Sequence, residues 1–299
     1  MIFFPFEELT DRLKEQALNF VKKYEIISVQ LSGAIRKTSR SVYAVFSDDI
    51  KGDKIWGVLV LSKTVLHCLP FAEKKRAEPL PPEQLAFTRD LTDFYRSEKL
   101  SLPECVNGVN SGTRLILQSL ENLDAFPRVI NRYIFMRLNV KPFLSLEMLP
   151  FSNGESFVRC KKDLPEPLLQ SLIELQKKYE LEEVLPRGFE FNEDTSRLKL
   201  KAALRKQYIL AIDDGNGNLI SKAQTNAIGT KCAQIGGVFT LPEQRGMHYA
   251  RRCVLVLTKK ILHARKLPVL YVKKENKAAQ NLYKSLCYIP LTDYTICYF

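Results

Sequence analysis

Read from the N terminus, the chain first shows a helical stripe: Leu9, Leu13, Ala17, Phe20 and Val21 lie on one face of residues 7–23. The opening MIFFPF suits an edge strand or a hydrophobic staple for that helix. Four runs rich in apolar and β-branched residues follow: IISVQLS (26–32), SVYAVFS (41–47), IWGVLVLS (55–62) and TVLHCLP (64–70). All four read as strands. Helical periodicity returns near 83–97 and 111–121, and YIFMRLNV (133–140) is again strand-like. EKKRAEPLPPE (73–83) is a charged, proline-rich connection. Around residues 150–155, PFSNGE offers turn chemistry without periodicity, which places a domain boundary there and divides the chain into 1–150 and 151–299.

The second half is patterned more sharply. FVRCKK (157–162) predicts a strand, and LPEPLLQSLIELQKKYE (164–180) a helix with its prolines in the first turn. A further helical region covers LEEVLP and roughly 195–205. QYILAID (207–213) turns through Asp214-Gly215-Asn216-Gly217 into NLISKAQTN (218–226), a hairpin signal. CAQIGGVFTLP (232–242) and LPVLYVK (267–273) are strands, each followed by a helix, near 246–264 and 276–286. Strand-like TICYF ends the chain. The expected order is β-α-α-β-β-β-α-β-α-β-β, an α/β arrangement (an α+β mixed sheet) with flanking helices.

Composition narrows the class. The chain has 299 residues, 45% hydrophobic and 26% charged, which suits two globular domains. No apolar run reaches the roughly 18 residues of a membrane span, and MIFFPF with its following Glu7-Glu8 is no signal peptide. Seven cysteines without a CxxC pair read as reduced residues of a cytoplasmic protein. The three histidines, at 67, 248 and 263, lack metal-ligand spacing, so no metal is expected. The net charge of +12 is uneven: residues 243–284 hold eleven basic residues against two acidic ones, a net +9. Such a concentration is either a solvated face or the mark of an anionic ligand.

Within that stretch, FTLPEQRGMHYARR (239–252) ends a strand at Pro242 and opens a helix through an Arg-Gly pair. Helix N termini expose unpaired N–H groups and partial positive charge, the ingredients of a phosphate site. Gly246 permits close backbone approach and Arg245 adds a phosphate-seeking guanidinium. Gly236-Gly237 interrupts the preceding strand, as at a bulge or a ligand pressed against the backbone. Further on, Asn276, Ala279 and Tyr283 share one helix face. Thr225 and Asn226 close a neighbouring strand.

QIGGVFTLPEQRGMHYARR, followed by LYVKKENKAAQNLYKSLCY, resembles the acetyl-coenzyme A site of the GNAT N-acetyltransferases. That family's loop reads Arg/Gln-x-x-Gly-x-Gly/Ala, matched by Arg245 to Ala250 except at His248, which replaces the central glycine. Its downstream motif reads Asn-x-x-Ala-x-x-Leu-Tyr-x-x-x-Gly-Phe, matched by Asn276, Ala279, Leu282 and Tyr283, with Cys287-Tyr288 in place of Gly-Phe. The resemblance covers residues 156–299. It implies a GNAT acyltransferase fold in the C-terminal half and acetyl-CoA as co-substrate, held by Val238, Phe239, Thr240, Arg245, Gly246, Met247, His248, Tyr249, Ala250, Asn276, Ala279 and Tyr283. It also implies direct attack by an amine acceptor, an amide near Val238 or Phe239 polarising the thioester carbonyl, Glu182 or Glu183 as base, and Tyr283 protonating the thiolate. His248 is expected in the first helical turn with negative φ. The N-terminal half, where NGVNSGTRLILQSL (107–120) faintly echoes the loop and helix, reads as a degenerate GNAT-like domain of a tandem protein. The basic residues cluster around the coenzyme loop rather than along a second surface, so nucleic acid is not an expected partner, and without a membrane-length apolar run neither is a membrane. Two alternatives stand beside this reading: a non-catalytic CoA-sensing module, and an aminoacyl-tRNA-dependent transferase with tandem GNAT-like domains.

Overall fold

The computed structural model describes residues 1–35, 41–47, 55–69, 81–151, 154–186 and 188–299. The first half contains β1 (Ile2–Pro5), α1 (Asp11–Lys23), α2 (Val29–Ile35), β2 (Val42–Phe46), β3 (Ile55–Val60), β4 (Thr64–Cys68), α3 (Pro82–Ser97), β5 (Cys105–Val109), α4 (Asn110–Glu121), β6 (Val129–Leu138) and the short α5 (Val140–Phe143). The second contains β7 (Ser156–Cys160), α6 (Glu166–Tyr179), α7 (Glu193–Lys206), β8 (Ile209–Asp213), β9 (Leu219–Ile228), β10 (Cys232–Thr240), α8 (Tyr249–His263), β11 (Leu267–Lys273), α9 (Lys277–Ser285) and β12 (Tyr288–Tyr298). Of the connection at 73–83, residues 73–80 lie outside the described residues, as do 152 and 153 of the turn at 150–155.

The strands form one mixed sheet in the order β1-β2-β3-β4-β5-β12-β6-β11-β10-β9-β8-β7. Its centre is an exchange. β6, from the first half, pairs antiparallel with β11 from Val269↔Arg137 to Lys273↔Tyr133. β12, the last strand, lies between β5 and β6 and is antiparallel to both. Each half therefore completes the other's sheet. Helices cover both faces. In the second half Cys253, Val254, Leu257 and Ile261 of α8 pack on Ile212, Ile235 and Leu270. Leu172, Leu175, Leu200 and Leu204 of α6 and α7 cover Ala211 and Phe239. The first half repeats the plan, with α3 and α4 on one face and α1 and α2 on the other.

Three expectations change. IISVQLS (26–32) is helical, not a strand: a single turn at Glu25–Ile27 leads into α2. The tertiary reason is Glu25, 1% exposed. Its carboxylate accepts from the backbone N–H groups of Lys231 (2.6 Å) and Cys232 (2.9 Å) and from Ser32 Oγ (3.1 Å). That anchor folds the segment back onto the β9–β10 turn, and β propensity yields to it. The C terminus is one long strand, β12, where two were expected. β6 begins at Val129, earlier than the pattern suggested, because β12 supplies a partner along its whole length.

Among the described residues two strand pairs are parallel, one in each half, and each stops early. β10 and β11 pair from Cys232↔Leu267 to Ile235↔Leu270. β4 and β5 pair from Thr64↔Cys105 to Leu66↔Asn107. In the first half the opening beyond the last pair is filled. His67 is 5% exposed, its Nε2 lies 2.9 Å from Thr113 Oγ1, and its ring occupies the space where Gly108 and Gly112 would carry a Cβ. A void of only about 10 Å³ remains beside it.

Burial pushes the His67 imidazole down to about 4. The folded state thus keeps it neutral while the unfolded chain takes up a proton near the ordinary value. Its contribution is complete above about pH 6.5 and is lost as pH falls towards 4. Urea denaturation across that range should show a loss of about 3 kcal/mol that His67→Gln removes. An equal acid dependence in the variant would exclude His67 as its source.

Candidate active site

The cleft of the second half forms where β10 leaves β11. Its cause is local. The register of β10 against β9 shifts between Gln234 and Ile235 and again between Gly236 and Phe239, so the ladder skips Gly237 and Val238. Gly237 has φ +56°, a backbone region open chiefly to glycine. The side chains of Asn226 and Gln224 lie over Gly236 and Gly237, filling the positions of the missing Cβ atoms. The double glycine therefore marks a bulge crowded by its neighbouring strand. Thr225, by contrast, is buried and accepts from the Tyr208 N–H (3.0 Å) while donating to Gln207 (2.7 Å), a structural bond away from the cleft.

A cavity of about 590 Å³ occupies the opening, within the usual size of ligand pockets. It gathers Glu182, Glu183, Val238, Phe239, Thr240, Arg245, Gly246, His248, Tyr249, Ala250, Asn276, Ala279, Leu282 and Tyr283. Sites separated by up to a hundred residues in sequence thus share one wall. Among the expected residues Met247 stands apart: it is half exposed, does not line the cavity, and its carbonyl accepts from Arg252 Nη1 (2.7 Å). Gln244, Arg251, Asn281 and Ser285 also line the cleft and were not anticipated.

The loop is braced from behind. Arg252 is 9% exposed and donates to the carbonyls of Leu149 (3.2 Å), Met247 (2.7 Å) and Pro150 (2.8 Å), with Phe151 and Tyr249 against its guanidinium plane. Tyr249 donates to Glu155 Oε1 at 2.6 Å. Gly246 has φ +83° and open space around it, so a ligand can approach its backbone. His248 is the helix N-cap, with φ +60° and ψ 15°. It is left-handed, contrary to the negative φ expected for a first-turn residue. Gly246 and His248 both take positive φ as the chain reverses before α8 begins at Tyr249, and His248 sits where a glycine would be unstrained.

Several side chains are committed within the protein. Arg245 Nη2 donates to both carboxylate oxygens of Glu182 (2.7 and 2.8 Å), and its Nε donates to Thr240 O (3.2 Å). Asn276 caps α9, accepting from the Ala279 N–H at 2.9 Å, and its amide lies 3.4 Å from Glu183. Glu183 is also 3.4 Å from Lys273 Nζ. Tyr283 is buried with its ring edge-on to Tyr288. Burial first, and the Glu183 carboxylate second, hold its hydroxyl well above the ordinary tyrosine value, so it stays protonated at neutral pH.

The basic stretch divides. Arg245 and Arg251 line the cleft, whereas Lys259 and Lys260 line a larger groove of about 1270 Å³ with Arg159, Lys161, Lys162 and Arg205. The charge expected around the loop therefore serves a second surface as well. Pairing with a carboxylate claims Lys273 and Lys274, the latter on Asp293. Among the described residues no group of His, Cys, Asp and Glu is placed to hold a metal ion, and no helix is long and apolar enough to cross a membrane.

Known proteins agree with this architecture. A family model described as FR47-like protein matches residues 216–296, from the hairpin through most of β12. A Drosophila protein of known X-ray structure superposes with a TM-score of 0.64 at 14% identity, over 100% of this chain and 98% of its own. A tandem GNAT protein from the clavulanic acid biosynthesis pathway gives 0.57 at 11%, over 99% and 97%. A GCN5-related N-acetyltransferase from Kribbella flavida gives 0.52 at 13%, over 94% and 95%. No curated protein matches the sequence. At these identities the likeness is one of fold. The chain has the GNAT fold, in the tandem form that places two such units in one polypeptide.

The left-handed His248 gives a direct test. His248→Gly and His248→Ala both delete the imidazole, but only glycine relieves the backbone. The glycine variant should be the more stable of the two by about 1 kcal/mol, read from denaturant midpoints. Equal stability would place residue 248 in ordinary helical backbone.

Proposed function

We propose that the chain is an acetyl-CoA-dependent N-acetyltransferase that transfers an acetyl group to an amine by direct attack. Residues 151–299 form the catalytic unit, and residues 1–150 form a degenerate GNAT-like unit whose own opening His67 fills. The observation that carries this reading is the meeting of three features in one cleft: the bulge at 237–238, the loop 245–250 and the face of α9. The cleft fits a phosphorylated ligand with an extended arm, since the loop offers backbone amides and the parted strands offer length. The thioester of acetyl-CoA supplies an activated acyl group and a thiolate leaving group.

In this reading Arg245, Gly246, His248, Tyr249 and Ala250 hold the pyrophosphate through backbone N–H groups, and Arg245 reaches a phosphate by exchanging Glu182. Thr240 and Phe239 flank the arm, and Ala279 leaves room for it. The Val238 or Phe239 N–H donates to the acyl oxygen. Glu183 or Glu182 takes the proton of the amine, and Tyr283 donates to the departing sulfur. Seven unpaired cysteines fit a cytoplasmic setting. A second reading, a transferase using charged transfer RNA, draws on the basic groove beside Lys259 and Lys260.

Titration with acetyl-CoA should raise the melting temperature, and dephospho-CoA should raise it less. Stabilisation by short RNA with a flat response to millimolar acetyl-CoA would favour the second reading. Binding without turnover on any amine would leave a CoA-sensing module.

Tyr283→Phe should lower turnover by about 10²–10⁴-fold while leaving coenzyme affinity near that of the parent protein. Acetyl-CoA hydrolysis serves as the assay until an acceptor is known. Unchanged turnover would return Tyr283 to a packing role.

A further inference from the structure

Behind the bulge lies a charge that the reading above does not use. Lys222, on β9, has no solvent exposure, and its Nζ donates to the Gly237 carbonyl at 2.9 Å. The ring of Tyr179 lies 4.4 Å from Nζ, and the hydroxyl of that tyrosine hydrogen-bonds the Gly237 backbone. Its other titratable neighbours are Cys160 on β7, Cys253 on α8 and Glu180 just beyond α6. Glu180 is itself bonded to Gln176 (2.6 Å). A buried lysine whose hydrogen bond goes to a carbonyl is costly to keep. It calls for a reason.

The reason lies in which peptide it holds. The Gly237 C=O and the Val238 N–H are two ends of one peptide unit, and there is no cis peptide among the described residues. In a trans unit these groups point in opposite directions. The Val238 N–H therefore points away from the Lys222 ammonium. β10 lies between β9 and β11, and pairing with β11 has already ended at Ile235. Val238 itself lines the cavity, on the side of the peptide opposite the ammonium's carbonyl partner. Hydrogen bonds in series polarise one another, and an ionised donor on the carbonyl end strengthens the N–H at the other end.

We infer that Lys222 is a positioning residue that polarises the Gly237–Val238 peptide, making the Val238 N–H the donor to the acyl oxygen of a bound thioester. The inference rests on the acetyl-CoA reading and names the group that tunes it. Burial pushes the Lys222 ammonium down to about 7, so its charge is present on the acid side of neutrality and lost above it. The acyl site is thus set to respond to pH near neutrality, through a residue that touches neither substrate.

The test uses the full-length protein and two readouts besides turnover. The first is the Val238 amide resonance in the ligand-free protein, followed by NMR from about pH 6 to about pH 8.5. The second is the infrared carbonyl stretch of bound acetyl-CoA, with the affinity ratio of acetyl-CoA to CoA measured alongside. In the parent protein the amide should titrate with a midpoint near 7. The carbonyl stretch should lie below that of free acetyl-CoA and return towards it as pH rises, and the acetyl preference should fall about threefold, in line with a strengthening of roughly 10–30% per bond in a polarised chain. In Lys222→Met, which replaces the lysine by an unbranched apolar chain, all three should be independent of pH. Lys222→Gln, a neutral donor, should behave likewise and substitutes should the methionine variant not fold. A carbonyl stretch in either variant equal to the parent's, at every pH, would overturn the role of Lys222 while leaving the coenzyme site intact. A Val238 amide that does not move in the parent would do the same without any variant. Failure of the parent protein to bind acetyl-CoA at all would overturn the coenzyme reading, and this inference with it.

Discussion

Two parallel strands that part after four residue pairs govern the second half of this molecule. β10 and β11 hold together only from Cys232 to Ile235 on one side and Leu267 to Leu270 on the other. Beyond that point β10 is bent by its bulge, and the peptides it frees are the ones that line the cleft. A regular β10 would continue the ladder, close the opening and leave loop 245–250 facing a sealed sheet. The bulge in turn depends on Gly237 for its positive φ, on Gln224 and Asn226 for packing over the glycines, and on Lys222 for its carbonyl.

The same opening exists in the first half and is closed there by one side chain. His67 stands on β4 just past the last parallel pair, and Gly108 and Gly112 leave room for its ring. One architecture has thus been used twice with opposite outcomes, a cleft of about 590 Å³ and a void of about 10 Å³. The exchange of β6 and β12 joins the two units through continuous hydrogen bonding, and Glu25 fixes the first half to the β9–β10 turn. Neither half can bury its central sheet edge without the other. The first half therefore has a structural task in completing the sheet.

Loop 245–250 is held by interactions on both sides. Arg252 and Glu155 secure its back through the carbonyl of Met247 and the hydroxyl of Tyr249, while Glu182 occupies Arg245 at the front. The pair at the front is half exposed and exchangeable, a weak interaction in water. The braces behind are buried. The loop is thus fixed by buried bonds on one side and by an exchangeable ion pair on the other.

Much of this was legible in the sequence because it rests on local rules. Apolar periodicity gave α1, α3, α4, α6, α8 and the strands β7 to β11; Asp214 to Gly217 gave the hairpin; the resemblance carried by the Arg-Gly loop and the Asn276-to-Tyr283 spacing pointed to most of the residues that line the cleft. What periodicity could not carry was anything set by distant partners. IISVQLS is β-like in composition and became helical because Glu25 caps a turn two hundred residues away. The residues of His248 read as a helix start, yet its backbone sign depends on how the chain reverses after Gly246. Lys222 looked like an ordinary lysine in a hairpin strand, and only the bulge of β10 shows what its ammonium holds. The exchange of β6 and β12 leaves no trace in either strand, since a buried central strand looks alike whichever sheet it enters. Sequence determined the elements and the chemistry available to them, because these follow from dihedral preference and apolar spacing. Tertiary structure decided which elements neighbour one another, which glycines make a cleft and which charge is buried beside it, because those depend on contacts between residues far apart in the chain.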